Sequence, residues 1–198
     1  MNFYSLALFA HIVGAMAVFI GMGLEWVSLL RLRRAQTVAQ VREYTSLISL
    51  QAGLVTGGAA VLFVAGVYMT ITTWGWQTSW IQIALGTLIL EAILGGVVHT
   101  PRFKAIYAAA SQATADFLPE ELERKIDDPV LWLSVQAHGI TALGVIFLMT
   151  NKPDLIGSLI TLVVTLVLSI ITAQLWRPRR KTTTRAGLVR QEETQQSA

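Results

Sequence analysis

Cysteine is absent from the 198 residues. That excludes disulfides, thiolate metal sites and thiol catalysis. Charge is scarce as well: Asp, Glu, Lys and Arg make up 14% of the chain, against 54% hydrophobic residues. With a mean hydropathy of +0.57, the chain is too apolar for a soluble globule of this size. Long, nearly uncharged runs place it instead among multi-span helical membrane proteins, as one domain. There is no Gly-rich phosphate loop, no H-E-x-x-H and no G-x-S-x-G, so hydrolysis is unsupported and an enzyme is not the expectation. No basic patch interleaved with aromatics lies in a polar segment, so no nucleic-acid partner is expected. Met1 to Tyr4 carry no Lys or Arg, and the following apolar run is too long for a signal core, so no cleavable signal peptide is expected.

What is present is five apolar runs and no strand pattern. The first extends from Phe3 to Leu30, about 40 Å at helical rise, and so must tilt or let one end emerge from a hydrocarbon layer ~30 Å thick. The second covers Thr45 to Thr72 and the third Trp76 to Val98, joined by the short connection 73–78. The fourth covers Pro129 to Thr150 and the fifth Leu155 to Trp176, joined by Asn151-Lys152-Pro153-Asp154. Such short connections make antiparallel hairpins. The class is all-α: a five-span domain over residues 1–176 with a polar loop at 99–128. A basic, then Gln-rich tail over 177–198 has nothing to bury and is expected to be disordered. Within the loop, Arg102 to Asp116 reads as a short Ala-rich helix lying along the inner surface. Asp128-Pro129 reads as the N-cap and first residue of span four.

Fourteen of the 15 basic residues fall on one side of a five-span bundle, and Lys152 alone falls on the other. The positive-inside rule then puts the N-terminus outside and the C-terminus in the cytoplasm of a bacterial inner membrane. The six tryptophans agree. Trp74, Trp76 and Trp80 fall at the outer boundary, and Trp26, Trp132 and Trp176 at the inner one. The RPRRK segment after Trp176 sits where anionic lipid headgroups would attract it.

On span one, His11, Gly14, Val18, Gly21 and Glu25 share a helical face whose small residues permit close approach by a neighbour. Span two repeats the device with Gly53, Gly57, Gly58 and Ala60. Span five carries Ser158, Thr161, Thr165, Ser169 and Thr172 on one stripe, read as interhelical hydrogen bonding. The segment Phe9-Ala10-His11-Ile12-Val13-Gly14-Ala15 resembles the L-H-x-x-G-A opening of a broad group of bacterial integral membrane proteins, with Ala10 in place of Leu. That group includes the copper-resistance-D-like proteins and relatives of unassigned function. The Phe147-to-Pro153 ending of span four resembles a recurrent element of the latter. No Met- or His-rich extracellular segment is present, so the resemblance implies fold and location rather than copper handling.

Ionisable groups inside a span cost on the order of 3 kcal/mol or more at the bilayer centre and so mark candidate sites. They are His11, Glu25, Glu91 and His138, with Gln51, Gln82 and Gln136 as polar company. Counted from the basic edge, Glu91 lies ~16 Å deep and His138 ~15 Å, while His11 lies roughly 20 to 30 Å deep. Glu91 and His138 are therefore level, and fit proton relay, cation coordination or a hydrogen bond locking spans three and four. A haem held by His11 and His138 needs both at one level, and they miss by roughly 6 to 15 Å. Haem held by one histidine stays open, the metal is unassigned, and so is a scaffold role in which small-residue faces pack against a membrane partner or a second copy. Five spans do not form two equal inverted halves, so a transporter would need a dimer. His99 and Glu25 are expected at the inner interface: His99 ending a helix, Glu25 snorkelling or paired with Arg102 or Arg31.

Overall fold

Among the described residues, five helices are long and apolar enough to cross a membrane. The computed structural model describes residues 2–175, so Trp176 and the tail, with the expectations attached to them, lie outside the described residues. The α-helices are α1 Phe3–Leu32, α2 Val38–Met69, α3 Ser79–Leu94, α4 Thr100–Gln112, α5 Glu120–Ile126, α6 Pro129–Asn151 and α7 Leu155–Leu175. A π-helical turn, Thr70–Trp74, prolongs α2, and a second, Gly95–His99, joins α3 to α4.

Each boundary has a local cause. Asn2 accepts from the Tyr4 N–H and opens α1; Thr37 accepts from the Gln40 N–H and opens α2. Gly75, at φ 77°, makes the turn after α2 in a region where a side chain would be strained. Asp128 caps α6 by accepting from the Val130 N–H, with Pro129 in the first turn as expected. At the far end of α6, Lys152 takes the left-handed conformation (φ 48°) and its N–H closes on the Leu148 carbonyl. Asp154 then accepts from the Gly157 N–H as α7 begins.

One boundary departs from the sequence reading. The third span does not end near His99 to be followed by a separate surface helix. It continues from Ser79 to Gln112 without a break in helical structure. Pro101 has no N–H to donate to the carbonyl four residues back, and its ring crowds that turn. The backbone widens instead: the Thr100 N–H and hydroxyl both reach the Gly95 carbonyl, five residues back. A π turn ahead of a proline absorbs the clash without ending the helix.

Helices α1 and α2 form a close hairpin. A Cβ on Gly14 would lie 2.7 Å from the Leu62 nitrogen, and one on Gly58 2.9 Å from the Gly14 carbonyl oxygen. Gly53 and Gly57 meet nothing within 4 Å, so only Gly58 of the second small-residue group serves this contact. Helix α6 is central. Its span buries 39% of its apolar stretch, against 17 to 22% for the other four, and it packs against α1, α3 and α7. The α7 stripe faces α6, with Thr165 against Gly144. Its hydroxyls do not bridge helices, however. Ser158, Thr161, Thr165, Ser169 and Thr172 all donate to carbonyls of their own turn. Small polar groups that satisfy themselves locally can be buried at a helix contact, and this stripe works that way.

The best-packed core sits at the basic end, where Leu29, Leu32, Val41, Ile106, Leu122, Ile126 and Leu131 are buried together. Trp132 belongs to it. Rather than forming part of an interfacial belt, it is buried, donates its indole N–H to the Ala173 carbonyl and carries Arg33 over its ring at 4.8 Å. Arg42, a topology residue by sequence, donates to the carbonyls of Ala110 and Ala113 and caps the end of α4.

Candidate functional site

Four ionisable side chains from three spans meet inside the bundle. Glu25 comes from α1, Glu91 from α3, His99 from the π turn and His138 from α6. Glu25, Glu91 and His99 are only 3, 7 and 4% exposed, so each needs a partner to offset its desolvation. His99 Nδ1 lies 2.8 Å from Glu25 Oε1, a hydrogen bond across two spans. His138 Nε2 lies 3.7 Å from Glu91 Oε2, beyond a direct hydrogen bond but within reach after a small rotation. The two imidazole rings stand 5.3 Å apart, centre to centre, inclined by 42°. They link the two acid–base pairs into one cluster. Thr141, one turn beyond His138 on α6, is buried and donates its hydroxyl to the Ala137 carbonyl.

The cluster is short of hydrogen bonds. Glu91 Oε2, His99 Nε2 and His138 Nδ1 are buried and have no hydrogen-bond partner among the described residues. The ion pairs of Glu25 and Glu91 are with histidine. Nearby guanidinium charge goes elsewhere: Arg102 binds the Asp128 carboxylate, and Arg33 donates to the Asp128 carbonyl. Two carboxylates and two imidazoles thus share a buried site whose charge balance depends on protons or another cation.

Residues 5–153 match the family model described as a predicted integral membrane protein, DUF2269. The chain belongs to that family. No curated protein and no solved structure matches it. All four cluster residues of this DUF2269 protein lie within the matched segment, whereas α7 lies outside it.

Of the sequence candidates, Glu91 and His138 do face each other. Glu25 is neither snorkelling nor paired with an arginine; it is buried against His99. His99 does not cap a helix end, because the helix runs on through Pro101, and it is turned into the bundle. His11 stands apart. One ring nitrogen, Nδ1, bonds the Leu62 carbonyl at 2.9 Å, and the ring lies where a side chain at Gly66 would otherwise sit. It lines a separate cleft of about 210 Å³ together with Trp74, Trp80 and Lys152. Gln51 and Gln136 are buried, but neither bonds to the four. Gln82 donates to the Trp76 carbonyl at a helix start.

The signal for Glu25 was available. It shares its stripe with Gly14 and Gly21, and a face packed tightly enough to need glycine leaves Glu25 no route to solvent. The signal for His99 was Pro101, which widens the preceding turn and so changes which residue faces inward.

Proposed function

We propose that this chain is a multi-pass protein of the bacterial cytoplasmic membrane that handles protons at the Glu25–His99–His138–Glu91 cluster. The observation that carries the reading is the buried pairing of two imidazoles, ring to ring, each with its own carboxylate. Carboxylate beside imidazole exchanges a proton near neutral pH, and ionisable groups at such depth are costly unless used. A proton arriving at Glu91 is passed to His138 Nε2. His138 then releases its Nδ1 proton to Nε2 of the adjacent His99, and His99 passes its Nδ1 proton to Glu25, so both imidazoles end neutral. Placement of the basic end in the cytoplasm rests on the fourteen basic residues on that side. The resemblance of the opening segment to bacterial membrane proteins supports the location. Anionic headgroups are the natural neighbours of the tail's basic segment. A haem bridging His11 and His138 is less well supported, since His11 is engaged by Leu62 in a different cleft.

The test is proton flux in liposomes containing the purified protein and a trapped pH dye, driven by a potassium diffusion potential. Flux above protein-free liposomes is expected, reduced at least tenfold by Glu91→Gln and by His138→Ala. Wild-type flux no greater than that of empty liposomes, or undiminished flux in both variants, rejects the reading.

A further inference from the structure

We infer that the same cluster binds a divalent first-row metal ion of the zinc type, with Glu25, His99 and His138 as ligands. The inference rests on the cluster being a cation site, but not on protons moving through it. One donor atom from each of these three residues lies within 4.8 Å of the others. Contraction by a rotamer adjustment brings such a set to the spacing that ~2.0–2.2 Å metal–ligand bonds require.

Three independent features point to a metal ion rather than a closed hydrogen-bond network. The first is donor type: two imidazoles and a carboxylate are a borderline set that suits zinc and its neighbours, and the chain has no cysteine to favour a softer ion. The second is unmet bonding. His138 Nδ1 and His99 Nε2 are buried without partners, in residues otherwise enclosed by the bundle. The third is the outer shell. Glu91 faces His138 Nε2 at 3.7 Å, on the opposite side of the ring from the unpartnered Nδ1. Once rotated into hydrogen-bond distance, a carboxylate on that nitrogen fixes the tautomer and raises the basicity of the ligating one. Charge also closes: two carboxylates, two neutral imidazoles and one divalent cation sum to zero in a site whose ion pairs include no Lys or Arg. His99 binds through Nε2 and keeps its Nδ1–H on Glu25, and His138 binds through Nδ1, so only a ring that is protonated beforehand releases a proton on metal uptake.

The experiment is titration of the full-length, detergent-solubilised protein, stripped of metal, with Co²⁺ as a spectroscopic probe and then Zn²⁺ as competitor. One Co²⁺ per chain is expected, with intense visible bands of four- or five-coordinate geometry that Zn²⁺ abolishes. His99→Ala and His138→Ala should each weaken binding by at least 100-fold, and Glu91→Gln by about 10- to 100-fold. His11→Ala should leave it unchanged. Zinc-edge X-ray absorption of the wild type reads the donor set without any substitution, which covers variants that do not fold. Two imidazoles in the first shell support the site. An all-oxygen shell, sub-stoichiometric binding, or equal binding by the histidine variants overturns it. Proton flux in metal-free liposomes is scored separately, so loss of one result does not decide the other.

Discussion

Glu25 of α1 and His99 of the π turn meet at 2.8 Å with both side chains about 5% exposed or less, a buried polar tie between the first and third spans. Because neither group reaches water, removing one strands the other. Glu25→Ala should cost about 1–3 kcal/mol through the orphaned imidazole. His99→Leu in the same background should recover part of that loss, since two apolar groups leave no unmet bond. Thermal unfolding of the two variants and the double mutant in detergent measures the coupling. Strict additivity would show that the contact carries no stability.

Pro101 controls this pairing from two residues away. With an N–H restored at position 101, the i→i−4 bond to Val97 becomes available and the Gly95–His99 turn can revert to α-helical geometry. That removes one residue from the turn and rotates everything on one side of it by ~100° relative to the other. Pro101→Ala should therefore break the Glu25–His99 bond, at a cost of about 1–3 kcal/mol for the buried groups left unpaired that offsets the restored helical hydrogen bond. Imidazole ¹⁵N shifts of His99 report the bond directly. Shifts identical to wild type would mean that the π turn is held by tertiary packing instead.

The five spans, their hairpin connections and the Asp128-Pro129 helix start were legible because apolar run length and capping chemistry are local. That Glu91 and His138 lie level was also legible, by counting helical rise from a shared edge, but not that they face each other. What a depth count cannot supply is rotation about the helix axis, and rotation decided Glu25 and His99. Both lie near the basic edge, where an interfacial setting is the default expectation. Packing of α1 against α2 and the π turn before Pro101 turned them inward. The Ser/Thr stripe of α7 misled for a related reason: a hydroxyl on a buried face can bond its own turn as readily as a neighbour.

The glycines of α1 and α2 divide into two groups with opposite expected responses. A methyl on Gly14 or Gly58 would meet backbone atoms at 2.7 to 2.9 Å, and backbone cannot swing aside as a side-chain tip can. Gly14→Ala and Gly58→Ala should each destabilise by roughly 1–3 kcal/mol, or split the hairpin. Gly53 and Gly57 meet nothing within 4 Å, so alanine there should be neutral or stabilising by up to about 1 kcal/mol. Melting temperatures in one detergent suffice. A loss at Gly57→Ala matching that at Gly14→Ala would place a further contact on that face of α2.

Asp128 gathers three helices at the basic end. Its Oδ1 caps α6 through the Val130 N–H, its Oδ2 binds Arg102 at the start of α4, and its carbonyl accepts from Arg33 after α1. The first two roles can be separated. Asn keeps a cap acceptor but loses the charge, and the Arg102–Asp128 bridge is a quarter to a third exposed, where such pairs contribute only about 0–1 kcal/mol. Asp128→Asn should therefore be nearly silent. Asp128→Ala loses the cap as well and should cost about 0.5–2 kcal/mol. Because α6 carries His138, fraying at its start would also loosen the cluster. Amide hydrogen exchange over residues 130–133 should rise in the Ala variant and stay unchanged in Asn. Equal exchange in both would show that the ion pair, and not the cap, holds the start of α6.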